Sequence, residues 1–368
     1  MEKYSKSLPE LGIGNAPAYE MVAADVRALS TALDAPDFFA HMDPAPSKIA
    51  AKLVGLNAQY NQNLLHPDLS PFATKAERRV IDWLAPIFGM SDGHMCCGSS
   101  VANLTGIWCA RESGATRVVA SADAHLSVAK AAHILGMDFD AIAVDQDGKL
   151  DPSELKDLSD SCLVLTAGTT ARGAVDPMVQ TIAVWTHVDA AWAGPLRLTK
   201  FRDVVSGIET ADSIAISAHK WLYQPKDSAL IFFRDPQASK LISFGGEYLT
   251  VPNVGVQGSR SAAAIPLLGT LLAWGKQGLA QRVENSMKDS ETLAHFLKEH
   301  PETNLCGWPQ TGVVNWRPKI SPILDVVQRL GNCASITNIS GDVWIRQVAA
   351  NSYVDIDEVI REIEKALQ

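Results

Sequence analysis

SAHKWLYQP (217–225) and THVDAAWAG (186–194) are the two stretches on which the fold reading turns. Each closes a short apolar run, SIAISAHK (213–220) and VWTHVDAAW (184–192). Runs of this length and character read as buried strands rather than helices. Lys220 and Asp189 then stand at two strand ends, as opposite charges delivered to one place. Working outward, further apolar runs occur at RVVASAD (117–123), AIAVDQ (141–146), CLVLTAG (162–168) and SALIFFRD (228–235). Helical patterns at 100–112, 125–136 and around 152–160 separate several of them. Apolar strands alternating with helices predict an α/β fold, with a mostly parallel central sheet flanked by helices. Ligands of such sheets sit at the carboxyl ends of the strands.

The flanking regions read differently. Residues 1–55 hold an amphipathic stretch (Tyr19 to Leu33) and a Pro-rich segment, HMDPAPS (41–47), and read as an N-terminal arm. A long helix is expected from Thr74 to Phe88, ended by Gly89. The link from Asp176 to His187 is short for a crossover and predicts only a minimal helix or turn. After the large domain, 56–245, a Gly-rich loop (245–260) leads into helices at Ala262–Lys276 and 279–299. Strands near Val313–Arg317 and Val343–Val348 and a helix at Asp355–Leu367 complete a smaller α+β C-terminal domain, 246–368.

Composition narrows the partners. The 368 residues are 47% hydrophobic and carry a net charge of −9, which argues against nucleic acid. No apolar run is long enough to span a membrane, and the polar start MEKYSKSLPE lacks a signal-peptide core. Six cysteines are scattered without a CxxC pair, so neither a disulfide framework nor a metal site is expected. A reducing cytoplasm is the expected compartment.

The chemistry-bearing residues suit one cofactor, pyridoxal 5'-phosphate (PLP). A lysine holds its aldehyde carbon covalently, and a carboxylate pairs with its ring nitrogen. Lys220 and Asp189 supply those two groups. Asp189 lies in an apolar strand, where an unpaired charge is costly. Burial of Lys220 beside Trp221 would lower its pKa, as amine chemistry requires. A phosphate is well placed on backbone N–H groups at a helix start. HMCCGSSVANLTG (94–106) offers Gly98, Ser99 and Ser100 there, although small residues in that position are also ordinary N-caps. His125, in SADAHLSVAKAAH (121–133), opens a helix after a strand, as a ring-stacking partner or a simple cap. His219 can serve the phosphate, and Thr169 or Thr170 the ring oxygen or the substrate.

With these residues in view, the chain resembles the group II PLP-dependent amino-acid decarboxylases, the family of the aromatic-amino-acid, glutamate, cysteine-sulfinate and diaminobutyrate enzymes. The matching strings are SPFATKAERRVIDWL (70–84), GSSVANLTG (98–106), DAHLSVAKAA (123–132), GTTARGAVDP (168–177), HVDAAWAGPL (187–196) and SAHKW (217–221). The likeness runs from about Ala40 to Ile363. It implies a fold type I enzyme, with Lys220 bound to the cofactor, Asp189 at the ring nitrogen and His125 on the ring face. It also implies Ser99, Ser100 and His219 around the phosphate, Ala191 under the ring, and Thr169, Thr170 and Ser217 among the cofactor contacts. The reaction implied is decarboxylation of an L-amino acid to an amine and CO2. The assembly implied is a homodimer with shared active sites, in which the N-terminal arm and HMDPAPS face the partner.

One departure stands out. The family's usual loop tyrosine is missing from GGEYLTVPNVGVQGSRSAAAIPL (245–267), whose Tyr248 lies at the loop start. Oxidative deamination, aldehyde formation or another carbon–carbon cleavage therefore stands as the alternative outcome; otherwise His125 or Lys220 delivers the proton, or a loop of the partner completes the site. Cys96 and Cys97 read as a buried strand end, with a catalytic thiol as the other possibility. Arg346, Arg260 and Arg197 are candidates for binding an acid group.

Overall fold

A computed structural model describes residues 4, 6–179, 182–247 and 249–368. Residues Met1–Leu33 and Asp34–Gln368 form separate units. The first consists chiefly of helix α1 (Asn15–Leu29), which buries none of its own residues. The second holds helices α2 (Lys48–Tyr60), α3 (Pro71–Leu84), α4 (Ser99–Glu112), α5 (Leu126–Leu135), α6 (Ala264–Glu299), α7 (Ile323–Leu330) and α8 (Ile356–Leu367).

Its main sheet has seven strands: β1 (Asp92–Cys96), β2 (Arg117–Ser121), β3 (Asp138–Ile142), β4 (Ser161–Thr166), β5 (Trp185–Asp189), β6 (Ser213–Ser217) and β7 (Ala229–Phe233). They lie in the order β1-β7-β6-β5-β4-β2-β3. Only β7 runs against its neighbours β1 and β6. Strands β4 to β7 are almost wholly buried, because helices and loops cover both faces. Alternation along β6 sends Ile214 and Ile216 into one apolar layer and Ala215 into the other. Beyond a short hairpin, β8 (Ser243–Phe244) and β9 (Asn253–Val254), lies an antiparallel sheet of β10 (Thr303–Leu305), β11 (Val313–Pro318), β12 (Ser335–Ile339) and β13 (Asp342–Val348). Its own core joins Trp316, Ile345, Val359 and Ile363.

Two expectations need correction. No helix forms around 152–160. A single turn, Pro152–Glu154, stands there, because the Asp151 and Asp157 side chains accept from Ser153 and Ser159 N–H and compete with helical bonding. The edge strand expected at 141–146 lies at 138–142, paired with β2, and a turn closed by Gly148 N–H on the Asp145 carbonyl follows it. The two helices expected within 262–299 are present, joined end to end as α6 and broken where Gly275 adopts φ 61°, ψ −177°. The link from Asp176 to His187 shows no helix among its described residues; residues 180 and 181 lie outside them.

The segment 34–47, expected to face a partner, is stitched into its own chain. Val348 N–H donates to the Phe39 carbonyl at 2.6 Å, Ser335 Oγ to the Ala40 carbonyl at 2.7 Å, and Ser47 N–H to the Tyr223 carbonyl at 2.8 Å. Phe38 and Phe39 are buried.

Candidate active site

Strands β2, β4, β5 and β6 are parallel, so their carboxyl ends share one edge of the sheet. His125 follows β2, Thr169 follows β4, Asp189 ends β5 and Lys220 follows β6. Strand β1 points the same way, since both β1 and β6 oppose β7, and Cys96 and Ser217 share the partner Ala229. The start of α4 therefore reaches the same edge. His125, Thr169, Asp189, Lys220 and the start of α4 thus lie along one edge of the sheet.

Helix α4 begins after Gly98 with no side-chain cap. Gly98 has φ 143°, and the space where a Cβ would stand is open. Ser99 is half-buried and Ser100 exposed, leaving a helix N-terminus with free N–H groups. Near it, the buried Ser217 Oγ and His219 Nδ1 have no hydrogen-bond partner. Burial pushes His219 down to about 4. Unpaired buried polar atoms call for a ligand or water.

Asp189 is buried, and two donors aim at its carboxylate: Ala191 N–H to Oδ1 at 3.1 Å and Asn103 Nδ2 to Oδ2 at 2.8 Å. Ala190 and Ala191 keep the surrounding surface small. His125 caps α5, with Nδ1 accepting from Ser127 N–H at 3.2 Å; burial lowers its pKa. The cap engages only Nδ1. Thr169 Oγ1 accepts from Ala174 N–H at 3.1 Å and shapes its own loop, whereas Thr170 is exposed.

Lys220 Nζ makes no hydrogen bond among the described residues, and burial lowers its pKa, with Asp189 and Asp43 opposing the shift. Next to it Trp221 lies against Trp192, ring centroids 4.1 Å apart. Trp192 Nε1 donates to the Thr311 carbonyl at 2.7 Å and Trp221 Nε1 to the Ala349 carbonyl at 3.1 Å. The loops carrying Asp189 and Lys220 are thereby tied to the C-terminal layer.

The uncertain candidates separate clearly. Arg260 is held by Glu77 through two bonds, at 2.5 and 2.7 Å, and is no free acid receptor. Arg197 pairs with Glu209 at 3.4 Å. Arg346 is buried, its Nε has no partner, and no carboxylate lies within ion-pair distance among the described residues. Burial lowers it to about 10, and its charge is felt at Lys220. The Cys96 thiol is pushed by burial to about 12, which argues against a nucleophile. Tyr248 lies outside the described residues.

The sequence reading missed Asn103, His187 and Asp43. His187 and Asp189 sit two apart in a buried strand, so they share a face; two polar groups on one buried face were the available signal. Asp43 pairs with Lys226 and acts electrostatically on Lys220 and His219. No sequence pattern marks that role.

Lys220, Asp189, the uncapped helix start and the unpaired Ser217 and His219 atoms are the groups a phosphorylated pyridine aldehyde requires, and their arrangement fits one. The pyridoxal-dependent decarboxylase conserved domain matches residues 18–319. The chain belongs to this family. Its cofactor is PLP and its reaction class the decarboxylation of an amino acid. An L-2,4-diaminobutyrate decarboxylase of Rhizobium meliloti is 31% identical over 350 residues, covering 84% of this chain and 70% of the relative. An aspartate 1-decarboxylase of Aliivibrio fischeri is 28% identical, covering 77% and 64%. The chain thus spans about two thirds of these relatives' lengths. Oryza sativa TDC, solved with PLP and tryptamine, superposes with a TM-score of 0.87 at 21% identity, covering 100% of this chain and 90% of that one. Among the described residues no helix is long and apolar enough to cross a membrane.

Proposed function

We propose that this decarboxylase acts on an L-amino acid bearing a second acid group, using Lys220, Asp189 and His125 as its catalytic groups. The carrying observation for the site is the pairing of a buried, doubly hydrogen-bonded Asp189 with an unbonded Lys220 on neighbouring strand ends. Bound there, PLP supplies an aldehyde for the substrate amine and a ring that accepts the electron pair released with CO2.

The protein's own residues do the rest. Burial shifts Lys220 toward the free amine, the form that attacks a carbonyl. The α4 N-terminus, Ser99, Ser100, Ser217 and His219 take the phosphate, whose charge complements the helix dipole. Asp189 would hold a positive ring nitrogen by charge, and Ala191 would offer a small side chain beside the ring. His125, fixed as the α5 cap, would cover the ring face. Thr169 is committed to its loop, so Thr170 is the freer hydroxyl for the ring oxygen or substrate. In the absence of the loop tyrosine, Lys220 Nζ and His125 Nε2 are the groups able to return a proton to the product carbon. The relatives favour plain decarboxylation over the oxidative outcome.

Arg346 supports the substrate class. A buried guanidinium with an unpaired Nε is costly until an anion meets it. An ion pair to the departing α-carboxylate would stabilise the ground state and slow its loss, so the side-chain acid is the better partner. The test is turnover of a panel of amino acids by the PLP-loaded enzyme, with CO2 and amine measured together. Aspartate, glutamate or a similar acid should lead, and Arg346→Met should raise KM for it far more than it changes kcat. Preference for aromatic or cationic substrates would overturn the substrate class. Unchanged cofactor absorbance in Lys220→Ala would overturn the whole site.

We also propose a homodimer in the cytoplasm. Helix α1 leaves Tyr19, Val22, Val26 and Leu29 exposed along one stripe, a surface suited to a second copy. Six unpaired cysteines fit a reducing compartment. Light scattering showing a monomer at micromolar concentration would remove the dimer.

A further inference from the structure

Behind Asp189 lies a chain of buried polar groups that the reaction as described does not use. Asn103 reaches three partners: Asp189 Oδ2 at 2.8 Å and Ser127 Oγ at 2.9 Å through Nδ2, and His187 Nε2 at 3.1 Å through Oδ1. His187 Nδ1 meets Ser213 Oγ at 2.7 Å, and Trp185 Nε1 meets the same oxygen at 2.8 Å. Asn103, His187 and Ser213 are all essentially inaccessible to solvent. Trp185, His187 and Asp189 alternate onto the face of β5 that α4 covers, and Ser213 does so on β6. The helix can come this close because position 106 is glycine: a Cβ there would stand 2.5 Å from His187 Nδ1.

The polarity of every bond follows from groups that have no choice. As a carboxylate, Asp189 only accepts, so Asn103 turns its Nδ2 toward it and its Oδ1 toward His187. His187 must then carry its proton on Nε2 and accept at Nδ1 from the Ser213 hydroxyl. That leaves the Ser213 oxygen to accept from Trp185 Nε1–H, which only donates. On the other branch, the second Nδ2 proton of Asn103 goes to Ser127 Oγ, and the Ser127 hydroxyl donates to His125 Nδ1 at 2.8 Å. The Ser127 backbone N–H also points at His125 Nδ1, and independently requires it to accept. Three fixed ends therefore agree on one proton order.

We infer that Asn103, locked by His187, is a positioning residue that holds the Asp189 carboxylate in register under the cofactor and links it to the His125 imidazole, whose proton is kept on Nε2. The inference rests on the reading of Asp189 as the partner of the ring nitrogen. His187 stays neutral in this role, since burial pushes it down to about 4.

Two measurements test it. In PLP-loaded enzyme labelled with 15N in its histidine rings, both His187 and His125 should show the Nε2–H tautomer at neutral pH. An Nδ1–H tautomer or an imidazolium at His187 would overturn the relay, with no variant needed. The second is a comparison of His187→Gln, which keeps a side-chain N–H donor, with His187→Leu, which does not. The leucine variant should bind PLP at least tenfold more weakly and lose a comparable factor in kcat, with the glutamine variant within about threefold of the parent. In an Asn103→Leu background, His187→Leu should add less than about twofold, because the link is already cut. Equal damage from both His187 variants, or fully multiplying effects, would overturn the inference. Asp189→Asn separates the two levels. If it binds PLP and turns over like the parent, the reading of Asp189 itself fails. If it is impaired while Asn103→Leu and His187→Leu are not, only the relay fails.

Discussion

Glu77→Gln offers a direct test of how the site's outer wall is built. Glu77 in α3 and Arg260, in the loop before α6, form a bidentate pair with bonds of 2.5 and 2.7 Å. Their side chains are only 9% and 17% exposed. Met95 N–H donates to the same carboxylate at 3.3 Å, and the Arg260 carbonyl accepts from Leu64 N–H at 3.2 Å. One carboxylate thus joins α3, β1 and the loop. Glutamine preserves its size but leaves the guanidinium buried without a counter-charge. Breaking a buried pair from one side costs about 3–5 kcal/mol. Some solvent still reaches Arg260, so the lower end, about 3 kcal/mol, is expected. For a chain of this length that corresponds to a fall in Tm of about 4 °C. Urea unfolding of the PLP-loaded protein followed by fluorescence measures it. Glu77→Leu combined with Arg260→Met should recover to within about 1 kcal/mol of the parent, since an apolar pair needs no counter-charge. A loss under about 0.5 kcal/mol in Glu77→Gln, or a double variant worse than either single one, would refute the reasoning.

Three further outcomes are expected. His94 and His187 are pushed by burial from 6.5 to about 4, so the unfolded chain binds protons that the folded chain refuses, and stability drops as pH falls from 6.5 toward 4. Asp176 is raised by burial to about 6 and acts with the opposite sign between about pH 4 and 6. Unfolding measured against pH should therefore show a shallower acid limb in His187→Gln and a steeper one in Asp176→Asn, each by roughly 1.4 kcal/mol per pH unit. Gly106→Ala should cost about 1–3 kcal/mol, because its Cβ would overlap His187 and lift α4 from the sheet; a neutral effect in thermal unfolding would contradict the packing described. A thiol reagent added to the native enzyme should modify Cys97 first, as its only fully exposed cysteine, with Cys306 slower and the rest protected. Early modification of Cys96, mapped by mass spectrometry, would contradict the burial of the β1 end.

Much of the frame is legible in linear order. Buried strands β4, β5, β6 and β7 announce themselves as apolar runs because both faces of each meet protein. Lys220, Asp189 and His125 follow from where those runs stop. The exposed edge strand β3 was displaced by a few residues, because a half-solvated strand with two aspartates has no apolar run to mark it. The turn at 152–154 was taken for a helix because side-chain competition for backbone N–H groups does not alter hydrophobic periodicity.

The sequence by itself determined the carboxyl edge of the sheet and the pair of opposite charges on it, since both are set by local hydrophobicity and by where a strand ends. The tertiary structure alone decided which polar groups meet behind and beside that pair. Asn103 and Asp189 are 86 positions apart, Glu77 and Arg260 183, and Lys226 and Asp43 also 183. A hydrogen bond or ion pair is made only at a few ångströms, and helix packing and loop closure, not spacing along the chain, bring these atoms within that range. The same packing buried Arg346 with its Nε unpaired, Nη1 donating only to Ser335 Oγ at 3.4 Å. The sequence marks Arg346 as one candidate for an acid group; its burial, and the lack of a carboxylate within ion-pair distance among the described residues, are set by the fold.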